Sequence, residues 1–199
     1  MNLANKLTIF RIILVPIIII IPLFNLQGEL WGVPLTYLII DIIFVIASLT
    51  DKLDGYIARS RNQITTFGKF LDPIADKILV IVAMLILLEA GKIPAWIPAI
   101  IVIREFIVSG YRLVAVEKDG KVIAASILGK IKTCTQMLGI VLAFIDVNSF
   151  GAIFSGNLTG VAFVLNLFTT TLLSISVIAT IFSGVNYLKG CKELFKGEM

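Results

Sequence analysis

The stretch DKLDGYIARSRNQITTFGKFLDPIAD, residues 51–76, decides how the rest of the chain is read. It gathers Asp51, Asp54, Asp72 and Asp76, with Arg59, Gly55 and Gly68, into 26 positions of a chain that is 58 % hydrophobic. Apolar segments suited to a bilayer stand on both sides of it. Charge at membrane depth is costly and is usually retained for function. The stretch therefore predicts an active site, and the rest of the chain the frame that holds it at a membrane.

Composition agrees. The chain has 199 residues and a mean hydropathy of +1.02, and only 15 % of its residues are charged. That is too little charge to cover a globular core this apolar. The apolar runs have room for about six helices of roughly 20 residues each. The predicted fold class is all-α: a polytopic membrane protein with six transmembrane helices and a short N-terminal interfacial segment, forming a single domain over residues 1–199. The spans fall near 9–26, 35–59, 67–88, 95–116, 123–145 and 167–189, with a turn over 27–34 and an outer segment over 146–166. Lys6 and Arg11 before the first apolar run suggest a signal peptide. The run continues through Pro16 and Pro22 to Leu26 without a small-x-small cleavage pattern, so a retained helix is expected.

Cys134 and Cys191 are far apart, and the sequence has no histidine. Neither a disulfide framework nor a zinc site fits. Any metal must be held mainly by oxygen, which favours Mg2+ or Mn2+. There is no GxGxxG or P-loop, and no nucleic-acid partner is expected. If the spans alternate, 16 of the 17 lysines and arginines lie near the cytoplasmic side or inside helices, and only Lys92 lies outside. This predicts both termini and the active site on the cytoplasmic side of the cell membrane, with a basic surface toward anionic headgroups.

Asp51 and Asp54 are three apart, Asp72 and Asp76 four apart. On a helix each spacing puts a pair on one face, about 5–6 Å between Cβ atoms. The two helices are joined by a short loop, so the pairs can face each other. Four converging carboxylates repel unless cations lie between them. One or two divalent ions relieve this, and two ions about 3.5–4 Å apart form the usual clamp of phosphoryl chemistry. Gly55 and Ala58 leave a smooth helix face for a substrate, Gly68 does so at the opening of the third span, and Arg59 offers a planar fork. Salt bridges such as Asp51 with Lys52 or Asp76 with Lys77 do not replace this reading, because adjacent residues do not face each other on a helix.

The spacing D-x2-D-G-x2-A-R-x8-G-x3-D-x3-D is met in full by Asp51, Asp54, Gly55, Ala58, Arg59, Gly68, Asp72 and Asp76. It resembles the signature of the CDP-alcohol phosphatidyltransferases. The resemblance implies a six-helix membrane fold, a homodimer, and a divalent-metal site where an alcohol displaces CMP from a CDP-linked lipid. It assigns Asp51, Asp54 and Asp72 to the metals, and Asp76 to both the metals and the role of base. Gly55, Ala58, Arg59 and Gly68 then line the cytidine diphosphate site. Asn5, Thr8 and Arg11 resemble the family's N-x2-T-x2-R before the first span, with Asn5 and Thr8 near the nucleotide. Helix capping by Thr8 and snorkelling by Arg11 stand as alternatives.

The acceptor is read from other charges. Arg104 lies mid-span, where an unpaired cation is expensive. Adjacent Glu105 is not expected to pair with it, while Asp41 of the second span is an alternative partner. Arg112 lies eight residues on, and Lys130 and Lys132 open the fifth span about 200° apart, so one of the two is expected in the cavity. Both lysines can also be read as positive-inside anchors. Fixed cations beyond the metal site suit an anionic acceptor. The string REFIVSGYR, followed by GKIKTxxQ, resembles the bacterial phosphatidylglycerophosphate synthases. The expected substrates are CDP-diacylglycerol and sn-glycerol 3-phosphate. Inositol phosphate, serine and phosphatidylglycerol are alternative acceptors, and a cation transporter is the rival class; its acids would sit near the midplane rather than at one interface.

Overall fold

A computed structural model describes residues 3–24, 26–60, 66–119 and 127–195, with side chains over 7–24, 26–50, 74–75, 77–111 and 127–188. Its helices follow the apolar runs. They are α1 (Leu3–Ile20), α2 (Leu35–Ser60), α3 (Thr66–Glu89), α4 (Trp96–Asp119), α5 (Ile127–Ile145) and α6 (Gly160–Phe195). Among the described residues, Leu7–Phe24, Ile127–Ile145 and Gly160–Leu188 are long and apolar enough to cross a membrane, while Leu35–Thr50 is apolar but shorter. This is a mostly helical chain with the build of a membrane protein.

Three local departures from the sequence reading have simple causes. Residues 27–34 hold more than a turn. Two short strands, β1 (Glu29–Leu30) and β2 (Val33–Pro34), pair antiparallel with Leu30 opposite Val33. Trp31 and Gly32 both take positive φ, 56° and 79°, as the tight turn between right-twisted strands requires. Second, α1 begins at Leu3, so the interfacial segment is already helical there. Pro16 removes one backbone donor from this helix, which tightens into a 3-10 turn at Ile21–Phe24. Third, α6 begins seven residues before the expected span, at Gly160, whose φ of 60° turns the chain into the helix.

The chain divides into two compact units. The first, Met1–Ile93 with Val141–Ser149, packs α1 against both α2 and α3. Here α3 ends in a Schellman turn: Gly91, with φ 67°, donates to Leu88 O and Lys92 N donates to Leu87 O. That turn delivers Lys92 to the end of α5, where its Nζ donates to Ala143 O (3.2 Å) and Phe144 O (2.8 Å). These carbonyls sit in the last turn of a helix, where intrahelical donors run out and positive charge is favoured. The Lys92 ammonium also lies 4.6 Å from the Tyr37 ring centre. Burial pushes it down from 10.5 to about 8, against the opposing pull of Asp146 and Asp41.

The second unit, Pro94–Ile140 with Phe150–Met199, packs α4 against α6. One side of α6 buries Asn166, Thr169, Thr170, Ser176, Thr180 and Ser183, while Phe168, Ile178, Ile181 and Phe182 face outward. Polar inside and apolar outside inverts the soluble pattern; it is how helices pack in lipid, through small and hydroxylated residues. Asn166 Oδ1 accepts from Ile153 N, and Thr170 Oγ1 accepts from Gly151 N, so the start of α6 ties down the segment before it. Gly139 on α5 lets Leu173 of α6 come close, since a Cβ there would stand 2.8 Å from a Leu173 methyl.

Candidate active site

Helix α2 runs unbroken through Asp51 and Asp54 to Ser60, and α3 runs unbroken from Thr66 through Asp72 and Asp76. The three- and four-residue spacings therefore fall on continuous helix, which places each pair on one face. The side chains of Asp51, Asp54, Asp72 and Asp76 lie outside the described residues, as do Asn5, Gly55, Ala58, Arg59, Gly68 and Arg112. Among the described residues, no three His, Cys, Asp or Glu side chains gather as a metal would require. The donor chemistry fits a hard divalent ion: carboxylate oxygens from two helices, in a chain without histidine.

Around this pair of helices, α1 contributes two buried polar residues. Thr8 lies six residues into α1 from Leu3, so it does not cap that helix. It is buried, and Arg11 one turn on is fully buried at 0 % exposure. An arginine that snorkels keeps its head at the water interface; Arg11 instead lies inside the first unit. Ile12, Val15, Pro16 and Ile19 of α1, with Ala75 and Ile78 of α3, line an apolar groove of about 280 Å³. Ile12, Val15 and Ile19 continue the helix stripe that carries Thr8.

In the second unit the cations expected at an acceptor are partly brought together. Arg104 is 11 % exposed and its Nη1 reaches Glu105 Oε1 at 3.0 Å. The same oxygen accepts from Lys132 Nζ. The expectation that Glu105 does not pair with its neighbour is thus overturned. Cβ atoms of adjacent helical residues point apart, but the long arginine stem carries its guanidinium back around the helix. Arg104 Nη2 donates to Ser183 Oγ at 2.6 Å, and its guanidinium carbon stands 5.7 Å from the Tyr187 ring centre. Tyr187 itself meets Tyr111 edge-on. Gly184 leaves room for the arginine stem, because a Cβ there would lie 3.4 Å from Arg104 Cγ. Arg104 Nε is buried without a hydrogen-bond partner among the described residues.

Lys132 is buried, with Gln136 buried one turn on, whereas Lys130 is exposed. Asp41, in the first unit, is buried, its Oδ1 has no hydrogen-bond partner among the described residues, and Lys92 is a nearby charge that acts on it. Sequence reasoning missed Glu105, Ser183 and Tyr187. Glu105 carried a signal, an acid within an apolar span; the hydroxyl and the ring sit on α6, about 80 residues from Arg104 in sequence, and nothing local marks them.

Residues 1–182 match the family described as CDP-alcohol phosphatidyltransferase. The chain is 47 % identical over 147 residues to a protein of Bacillus subtilis named CDP-diacylglycerol–glycerol-3-phosphate 3-phosphatidyltransferase, covering 70 % of this chain and 74 % of that one. Proteins of the same name are 37 % identical over 196 residues in Rickettsia bellii (98 % of this chain, 97 % of the relative). In Haemophilus influenzae the figure is 36 % over 195 residues (96 % and 94 %).

Proposed function

The chain belongs to the CDP-alcohol phosphatidyltransferase family, and from that membership we propose that it transfers a phosphatidyl group from CDP-diacylglycerol to sn-glycerol 3-phosphate. The products are phosphatidylglycerophosphate and CMP, a step in anionic phospholipid synthesis. Relatives bearing the name of this reaction along nearly the whole chain support the donor and the reaction. The observation that carries the acceptor is the part-buried pairing of Arg104 and Lys132 on one carboxylate, a cationic feature that an uncharged alcohol does not need. It favours a phosphate-bearing acceptor over serine.

In this reading the chain is a single membrane domain over residues 1–199, with six spans, a homodimeric assembly and a cytoplasmic active site. Asp51, Asp54, Asp72 and Asp76 hold two divalent ions, Mg2+ or Mn2+. When bound, the metal offsets charge on the diphosphate and on departing CMP. Asn5, Thr8, Gly55, Ala58, Arg59 and Gly68 bind the cytidine diphosphate. The apolar groove between α1 and α3, continuous with the stripe of Thr8, suits an acyl chain of the lipid. Arg104, Arg112, Lys130 and Lys132 bind the acceptor phosphate, with Lys132 as the inner lysine.

Asp76 takes the proton from the acceptor's 1-hydroxyl as that oxygen attacks the phosphorus bearing the diacylglycerol. A new P–O bond forms, the bond to the CMP oxygen breaks, and CMP leaves with the electron pair. Purified protein with CDP-diacylglycerol should release CMP with glycerol 3-phosphate, much more slowly with inositol phosphate, serine or phosphatidylglycerol, and not at all with EDTA. Metal-dependent release that prefers another alcohol would replace the acceptor; no metal-dependent release with any alcohol would sink the enzyme reading. Asp76→Asn should abolish turnover while CDP-lipid binding persists.

A further inference from the structure

The acceptor reading leaves unexplained why an acid lies among the cations. Arg104 of α4 and Lys132 of α5 share one oxygen of Glu105, so two like charges are held within the span of two hydrogen bonds. Two cations at that distance, one buried and one largely so, repel strongly, and an acid between them offsets that repulsion. Among the described residues, this one acid engages two cations. Arg104 is fixed further by Ser183 at Nη2, by the Tyr187 ring and by the space over Gly184. With both Nη groups engaged, its Nε is a buried donor without a hydrogen-bond partner among the described residues. A guanidinium held this way keeps one orientation, and its charge-assisted hydrogen bonds are directed.

We infer that Glu105 is the positioning residue of the acceptor-phosphate site: it locks Arg104 and Lys132 into one clamp. The inference rests on the acceptor reading above and adds to it a residue that never touches the reacting atoms. Glu105 therefore acts on acceptor binding and not on the chemical step. Losing its charge frees the two cations to repel each other and swing away from a common ligand.

The test is kinetic, on the purified full chain with CDP-diacylglycerol saturating and glycerol 3-phosphate varied. Glu105→Gln should raise the KM for glycerol 3-phosphate at least about tenfold, as expected when a part-buried charge pair loses a partner. kcat should fall less than about threefold, and the KM for CDP-diacylglycerol should stay put. Glu105→Asp should recover most of the loss, because it restores the charge at shorter reach. In a Lys132→Met background, Glu105→Gln should cost less than it does alone, since one of its two partners is gone while Arg104 remains. If Glu105→Gln does not fold, Glu105→Asp decides the matter: a modest rise in acceptor KM at unchanged kcat supports the clamp, and an unchanged KM overturns it. A folded Glu105→Gln variant with normal acceptor KM, or one that loses kcat alone, also overturns it. Wild-type protein that prefers a different alcohol overturns the acceptor reading instead, so the two failures are told apart.

Discussion

Lys92 shows how much one side chain can organise. Its Nζ ties the turn after α3 to the last carbonyls of α5 and lies over Tyr37, in a setting where Asp41 and Asp146 also act on it. Lys92→Met keeps the apolar stem but orphans two carbonyls and removes a cation from beside these acids. It should destabilise the protein by about 3 kcal/mol at neutral pH, read as a lowered Tm in detergent. The pH dependence has a definite sign. Folded Lys92 loses its proton near pH 8, the unfolded lysine near 10.5. Between those values the unfolded chain binds the extra proton, so the folded state gains stability as pH rises, by about 3 kcal/mol at most. The gap between wild type and Lys92→Met should therefore widen from pH 7.5 to 10; a constant gap would remove burial as the cause. Arg104→Lys keeps a charge but loses the fork that reaches Glu105 and Ser183 together. It should raise the acceptor KM roughly tenfold with little change in kcat, checked by acceptor titration.

At the scale of elements, the close approaches are set by small residues. Gly139→Val would drive branched methyls toward Leu173, where even a Cβ stands 2.8 Å from a methyl and 3.3 Å from the backbone nitrogen. The two helices must move apart, at a cost of about 1–3 kcal/mol. The expected result is a lower Tm with acceptor KM unchanged, whereas an unchanged Tm would show that Leu173 simply turns aside. The mostly helical build was legible in sequence from its long apolar runs, three of which form helices long and apolar enough to cross a membrane among the described residues. The helix ends were not. The early start of α6 depends on a positive φ at Gly160, and the hairpin after α1 depends on Trp31 accepting a left-handed conformation that its side chain disfavours. Glu105 shows the limit at the site: helix geometry gave the direction of Cβ but not the reach of an arginine. The four aspartates stand out in the sequence as a spacing pattern on two continuous helices, and their side chains lie outside the described residues.

For the whole molecule, charge and hydrophobicity point one way. The buried hydroxyl side of α6 and its exposed phenylalanines suit a lipid solvent, and the lysines and arginines fall almost entirely on one side of the proposed topology. Reporter fusions at residue 199 and within 61–65 should therefore read as cytoplasmic, and one beside Lys92 as external; the opposite pattern would invert the proposed orientation. The central claim is the transfer itself, and labelled acceptor tests it most directly. Purified protein given CDP-diacylglycerol, Mg2+ and glycerol 3-phosphate labelled in its phosphate should move the label into a lipid-soluble product, one for each CMP released, and stop when EDTA is added. Label that stays in the aqueous phase while CMP is released would contradict the account.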